Sequence, residues 1–211
     1  MILVQKYRLP QTQLLPQNGK LRRIVLHHTA GASAKSTFDY WASTPERVGT
    51  AYMIERDGAI YETFDPAKYW CYHIGSGSNS RDNAESIGIE LCSHGGLKKR
   101  DGKYYAFGVY SPKTEVNAAD VFDNGTLYRG FQYFARYTDA QIASALELIE
   151  KLLETYPTIE RKTPKNHTAY YNDWKNFGGV VSHTHLRADK SDVHPGFPWE
   201  RLIQNSNLQI F

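Results

Sequence analysis

Long apolar runs are missing from this chain, and that excludes a membrane-spanning helix, which needs about 20 consecutive apolar residues. Cysteine is nearly absent. Cys71 and Cys92 are the only two in 211 residues, too few for a disulfide scaffold and without the Cys-x-x-Cys spacing of a zinc ribbon or redox site. A single bridge between them is geometrically possible, but two buried free thiols at strand ends are the commoner arrangement. No long block of one charge sign occurs either. The 25 Lys and Arg against 22 Asp and Glu leave a net +3, a balance that does not point to nucleic acid. The short patches Lys98-Lys99-Arg100 and Arg161-Lys162 read as solvated loops. Internal repeats and low-complexity tracts are absent. Met1 to Lys6 holds too short an apolar run, with no cationic leader before it, for a signal peptide. What is there, 41% apolar and 22% charged residues, is the composition of a globular protein. The length fits one domain.

Periodicity and turn chemistry place the elements. Leu9-Pro10 to Gly19 is polar and aperiodic and reads as a tether, so residues 1–20 form an N-terminal extension before a first core strand at Arg23–His27. Ser36–Ala42 carries Phe38 and Trp41 three apart, on one face of a short helix. Thr50–Glu55 and Ala59–Thr63 flank Asp57-Gly58, a hairpin signal. In Ser86–Cys92, alternation sets Ile87, Ile89 and Leu91 on one face and Gly88 and Glu90 on the other. Glu90 therefore points away from the apolar side. Thr138 and Gln141 have capping-box spacing, and Ile142, Ala145, Leu146, Ile149, Leu152 and Leu153 follow at helical intervals up to Tyr156-Pro157. A short strand is expected at Val180–His183. Residues 95–136 and 163–179 read as insertions, the first a loop or small hairpin excursion. The expected fold is α/β: a single domain over residues 21–211, with a central mixed β-sheet flanked by helices and two loop insertions.

The histidines cluster at the ends of two expected strands. His27 and His28 are neighbours and point to opposite faces of a strand, so at most one of them meets a given metal. His183 and His185 could share a face, and His194 precedes the turn Pro195-Gly196. Three imidazoles so placed resemble a zinc ligand set with one open position, which activates water. His94 and His167, in loops rich in glycine or asparagine, read as ordinary polar residues.

These blocks resemble the zinc-dependent N-acetylmuramoyl-L-alanine amidases of the type 2 family, which includes phage lysozyme-amidases, anhydromuramyl amidases and peptidoglycan recognition proteins. Ile24–Ala30 is similar to the family's opening strand, Tyr52–Tyr61 to its hairpin and Tyr72-His73-Ile74-Gly75 to its His-x-Gly turn. Asn83–Leu91 is similar to its Ser-Ile-Gly-Ile-Glu-Leu strand, Thr138–Tyr156 to its helix and His183–Trp199 to its closing block. The resemblance implies one Zn2+, with His27, His183 and His194 as metal ligands, the last because the family places a Cys, Asp or His just before Pro-Gly or Pro. It implies Glu90 as catalytic carboxylate. Family members carry a lysine two residues before the third ligand, where this chain has Asp192. Lys190, four before His194, is the catalytic candidate for the oxyanion, with Asp192 as alternative. Thr50 stands where phage members carry a tyrosine. His73, Thr50 and Asp192 are the candidate substrate-binding residues.

The implied reaction is zinc-dependent hydrolysis of the amide between N-acetylmuramic acid and L-alanine, by a monomer whose partner is peptidoglycan or a muropeptide, with neither nucleic acid nor membrane. The protein is expected to be made in the cytoplasm and to act on the wall, in the periplasm or outside the cell. Tyrosines and tryptophan of the insertions, among them Tyr104, Tyr105, Tyr128, Tyr133, Tyr170, Tyr171 and Trp174, suit sugar faces or plain loop packing. Two rival readings are a non-catalytic peptidoglycan-binding module and a zinc peptidase acting on another amide.

Overall fold

Four strands run side by side in the same direction in the computed structural model, which describes residues 3–4, 6–31, 33–75 and 78–211. They belong to a six-stranded sheet in the order Leu3–Val4, Ile60–Glu62, Tyr52–Ile54, Ser86–Leu91, Arg23–His28, Gly179–Ser182. The last four are mutually parallel, while Ile60–Glu62 folds back antiparallel on Tyr52–Ile54. Gly58 takes the left-handed position of that hairpin, with φ +89°. Parallel strands covered on both faces must be buried throughout. Every residue of Arg23–His28 and of Ser86–Leu91 is.

Alternation divides these strands between two cores. Ile24 and Leu26 lie in register with Ile87 and Ile89, and the four join Ile142, Ala145 and Ile149 of the helix Asp139–Thr155 in the main core. Val25 lies in register with Gly88 on the opposite face, where Val25, Val181, Ile74, Trp174 and Phe177 form a second, smaller core. Glu90 shares that face's alternation. The long helix starts at the expected capping box: Gln141 N–H donates to Thr138 Oγ1 and Thr138 N–H to Gln141 Oε1, each at 3.1 Å. The first helix runs Ala34–Ser43, two residues earlier than its apolar pair suggests, because Ser33 caps it. The fold is α/β, one domain with a mixed central sheet and flanking helices.

Three segments differ from their sequence reading. The tether is woven into the sheet system: Leu9 is buried and its N–H donates to Thr63 O at 3.0 Å, and Leu15–Pro16 pairs with Tyr69–Trp70. A proline is tolerated there because that two-stranded piece is all edge. The first insertion is larger than a loop or small hairpin excursion: it is a five-stranded antiparallel sheet of Glu115–Val116, Lys103–Ala106, Gly96–Arg100, Phe131–Ala135 and Val121–Tyr128, in that spatial order. Its own core is Leu97, Ala106, Val121 and Ala135. Finally, the strand expected to end at His183 ends at Ser182, and His183 opens the short helix His183–Leu186. His183 and His185 therefore diverge by about 200° rather than sharing a face. The second insertion packs Trp174 and Phe177 under the sheet. Cys71 and Cys92 are buried free thiols. Among the described residues no helix is long and apolar enough to cross a membrane.

Candidate functional site

Three strand ends meet at the carboxyl edge of the main sheet, where parallel α/β sheets form their crevice. His27 is the register partner of Glu90, and Leu26 pairs with Ser182, so His183 comes next in the same row. A cleft of about 410 Å³ opens over this row. Its wall includes His27, Glu90, His183, Lys190 and Asp192, together with His28, Thr50 and His73.

Inside it, three buried donors converge: His27 Nδ1, His183 Nδ1 and Asp192 Oδ2. The separations are 3.1 Å between the two nitrogens, 3.3 Å from His27 to Asp192 and 2.9 Å from His183 to Asp192. Tetrahedral zinc with bonds of about 2.0–2.2 Å sets its ligand atoms roughly 3.3 Å apart. The hydrogen-bond network says which of these atoms carry protons. Ser86 has one hydroxyl hydrogen, which it donates to Asp82 O at 2.7 Å, so it accepts from His73 Nε2–H at 3.2 Å. The neutral His73 ring is then an acceptor at Nδ1 and receives His27 Nε2–H at 3.0 Å. His27 is left with a bare lone pair at Nδ1. On the other side His183 Nε2–H donates to Ile74 O at 2.8 Å, and a neutral ring is again bare at Nδ1. Two lone pairs and a carboxylate oxygen face one another with no proton between them, an arrangement that a cation relieves. The donor set fits a zinc ion.

Charge states agree. Burial, reinforced by His183, lowers His27 to about 4. His73 is held well below its usual range by burial and by His27 and His183. Burial alone would raise Asp192, but His183, His27 and His28 around it hold its carboxyl well below the ordinary range. His27 and Asp192 are thus in the form that binds metal.

His194, expected as the third ligand, is not brought to this cluster. Its Nε2–H donates to Ala135 O at 3.0 Å, its Nδ1 accepts from Gly196 N–H at 3.1 Å, and its ring stacks between Tyr137 at 4.2 Å and Phe134 at 4.7 Å. Both nitrogens are spent, so no lone pair is left for a metal. Asp192 occupies the corner instead, two residues earlier. A signal for it was present: with Asp192 as third corner, Lys190 falls two residues before it, the spacing that the family resemblance implies. His185 is likewise spent, accepting from Ser182 N–H and facing Asn166 O.

Glu90 is buried beside His27 and accepts no hydrogen bond from any described residue. Burial, and then the charge of Asp192, raise its carboxyl well above the usual range, with Lys190 opposing. A carboxyl shifted in this direction holds a proton more readily than a solvated one, as a group that accepts and returns protons must. Lys190 lines the same wall. Thr50 is buried with its hydroxyl turned to Tyr52 O. His73 lines the cleft wall and, through its Nδ1, holds His27, so it supports the cluster. His28 Nδ1 shares a hydrogen bond with the Tyr137 hydroxyl at 3.0 Å, and that oxygen also accepts from the His194 backbone N–H.

Known proteins share the family pattern and the fold of this chain. The model of a family described as N-acetylmuramoyl-L-alanine amidase matches residues 17–196. No curated protein matches the sequence. Among solved structures, the amidase AmiD from E. coli, in complex with anhydro-N-acetylmuramic acid-L-Ala-D-gamma-Glu-L-Lys, is similar at 20% identity and TM-score 0.57, over 91% of this chain and 59% of that one. A mutant endolysin from Bacillus subtilis is similar at 18% identity and TM-score 0.56, over 97% of this chain and 98% of that one. The N-acetylmuramoyl-L-alanine amidase LysC from Clostridium intestinale is similar at 16% identity and TM-score 0.52, over 99% and 97%. At these identities the likeness is one of fold.

Proposed function

Because this chain belongs to the N-acetylmuramoyl-L-alanine amidase family, we propose that it hydrolyses the amide between N-acetylmuramic acid and L-alanine in peptidoglycan, using one zinc ion held by His27, His183 and Asp192. It is a hydrolase acting on that amide class. The observation that carries the metal assignment is the triangle of proton-free donors, 2.9–3.3 Å on a side. Zinc in a three-ligand site supplies a water of pKa about 7 and polarises a carbonyl.

The chain's own residues divide the remaining work. Glu90, desolvated and without a protein donor, takes a proton from water at its carboxylate and hands it to the leaving amine nitrogen. The Lys190 ammonium stabilises negative charge developing on the amide oxygen, a contribution often worth about 3 kcal/mol in such sites. His73 and Ser86 keep His27 in the tautomer whose Nδ1 is free. All these groups come from one chain, so the site needs no second copy, and the proposed substrate puts its action on the wall, in the periplasm or outside the cell.

Digestion of purified muropeptide by the zinc-loaded protein, read by mass spectrometry, tests the proposal. The expected products are an intact stem peptide beginning with L-alanine and the sugar with its lactyl carboxylate. A shortened stem indicates a peptidase, and an untouched substrate a binding module. Glu90→Gln should keep its zinc and lose about 10²- to 10⁴-fold in kcat. Normal turnover by that variant would remove Glu90 from the proton path.

A further inference from the structure

The five-stranded sheet built by the first insertion is not used by the reaction, yet it carries the charge of the whole molecule. Residues 95–136 hold seven Lys and Arg against four Asp and Glu, a net +3 equal to that of the complete chain. Register places Lys98 opposite Tyr105 and Arg100 opposite Lys103, on one face. Phe131 lies flat over Gly96 on that same face, so close that a Cβ there would stand 2.4 Å from its ring. Lys98 Nζ sits 4.6 Å from the Phe131 centroid, and the Arg100 guanidinium 4.9 Å from that of Tyr110, whose ring in turn contacts Tyr105 at 5.3 Å. Cations and aromatic rings thus alternate along the strip, and Lys98, Arg100 and Tyr110 are exposed.

This strip is physically continuous with the cleft. Lys98 donates to Gly130 O at 3.1 Å, and the neighbouring Arg129 donates to Ala188 O. Tyr128 Oη contacts Thr184 Oγ1 at 3.0 Å, and Thr184 bonds the carbonyl of Asp192. Two residues beyond Ala188, Lys190 enters the cleft wall. A line of positive charge therefore runs from Lys190 through Arg129 and Lys98 to Arg100.

We propose that this track binds the peptidoglycan polymer beyond the scissile amide, so that the protein prefers assembled wall to small soluble muropeptides. The inference rests on the amidase reading above. Its occupant follows from complementarity: sugar rings offer apolar faces to aromatic side chains, and a γ-linked glutamate in a peptide stem leaves its α-carboxylate free to meet Lys or Arg.

The test compares zinc-loaded wild type with the double variant K98E/R100E, at exposed positions where folding is checked by thermal melting. Two assays are run: co-sedimentation with purified sacculi, and kcat/KM on sacculi against kcat/KM on a soluble muropeptide. Sedimentation of the wild type should weaken as salt rises from about 0.05 to about 0.5 M. The variant should bind sacculi about tenfold more weakly, and the ratio of its two kcat/KM values should fall about tenfold. K98Q/R100Q should show an intermediate loss. Equal loss on both substrates, or none on either, overturns the track, as does equally tight binding of wild type to double-stranded DNA under the same salt. If wild type cleaves neither substrate, it is the amidase reading that fails.

Discussion

At the scale of single residues, the site turns on how each imidazole spends its two nitrogens. His194 and His183 are both buried, yet one is closed by Ala135 O and Gly196 N–H while the other keeps a free Nδ1 beside Asp192. Two substitutions separate these roles. Asp192→Ala should purify without stoichiometric zinc by elemental analysis. His194→Ala should retain zinc but lose about 2–4 kcal/mol of stability in urea melts, because it removes a stacked ring and takes the acceptor from Gly196 N–H. The opposite pattern would restore His194 as a ligand. Ser86 makes a subtler case, since it touches no ligand directly. Ser86→Ala frees His73 to change tautomer and should weaken zinc about 10- to 100-fold in a chelator competition. An unchanged affinity would mean that His27 needs no such support.

At the scale of elements, the helix Asp139–Thr155 is fastened to the sheet by its own cap. Gln141 is fully buried, and besides closing the capping box its amide donates to Cys92 O at 2.9 Å and Ile54 O at 3.2 Å. These carbonyls end two of the strands beside the cleft. Gln141→Ala should therefore cost about 2–3 kcal/mol, more than the roughly 1 kcal/mol of an ordinary cap, since it leaves the Cys92 carbonyl unsatisfied, while Ile54 O keeps Cys92 N–H at 2.9 Å. Chemical denaturation measures this directly. A loss of cap size alone would mean that water reaches that carbonyl. The insertion sheet is an element of another kind. Short strands and mixed aromatic and polar residues hide it from period-2 reading, whereas its Asp101-Gly102 and Asn124-Gly125 turns are plain in the sequence.

For the molecule as a whole, the buried histidines tie stability to pH. Burial lowers His185 to about 3 and moves His94 and His167 in the same direction. Between pH 3 and the ordinary 6.5 of the free ring, the unfolded chain binds protons that the folded chain refuses. Stability is thus full above that window and declines as pH falls through it. Glu90, raised by burial, acts in the opposite sense over its own range, and the three rings outnumber it. Chelated protein, in which metal release contributes nothing, should show a lower urea midpoint at about pH 5.5 than at about pH 7.5. A midpoint that does not move would mean these rings are not held neutral.

The chain order by itself determined the elements with strong local signals: the capping box of Thr138, the Asp57-Gly58 hairpin, and the face of Glu90, because caps, turns and alternation are written in neighbouring residues. It also supplied His27 and His183, each at the end of a strand. Only the tertiary structure brings Asp192, and not His194, to those two rings. They lie two residues apart with equal chemical claim, and the choice depends on Ala135, Phe134 and Tyr137, about sixty positions away in the chain. The same holds for the proposed cationic track, whose Lys98 and Arg100 read as solvated loop residues until sheet pairing sets them on one face. Local chemistry is legible one residue at a time, while convergence is a property of packing across distant parts of the chain.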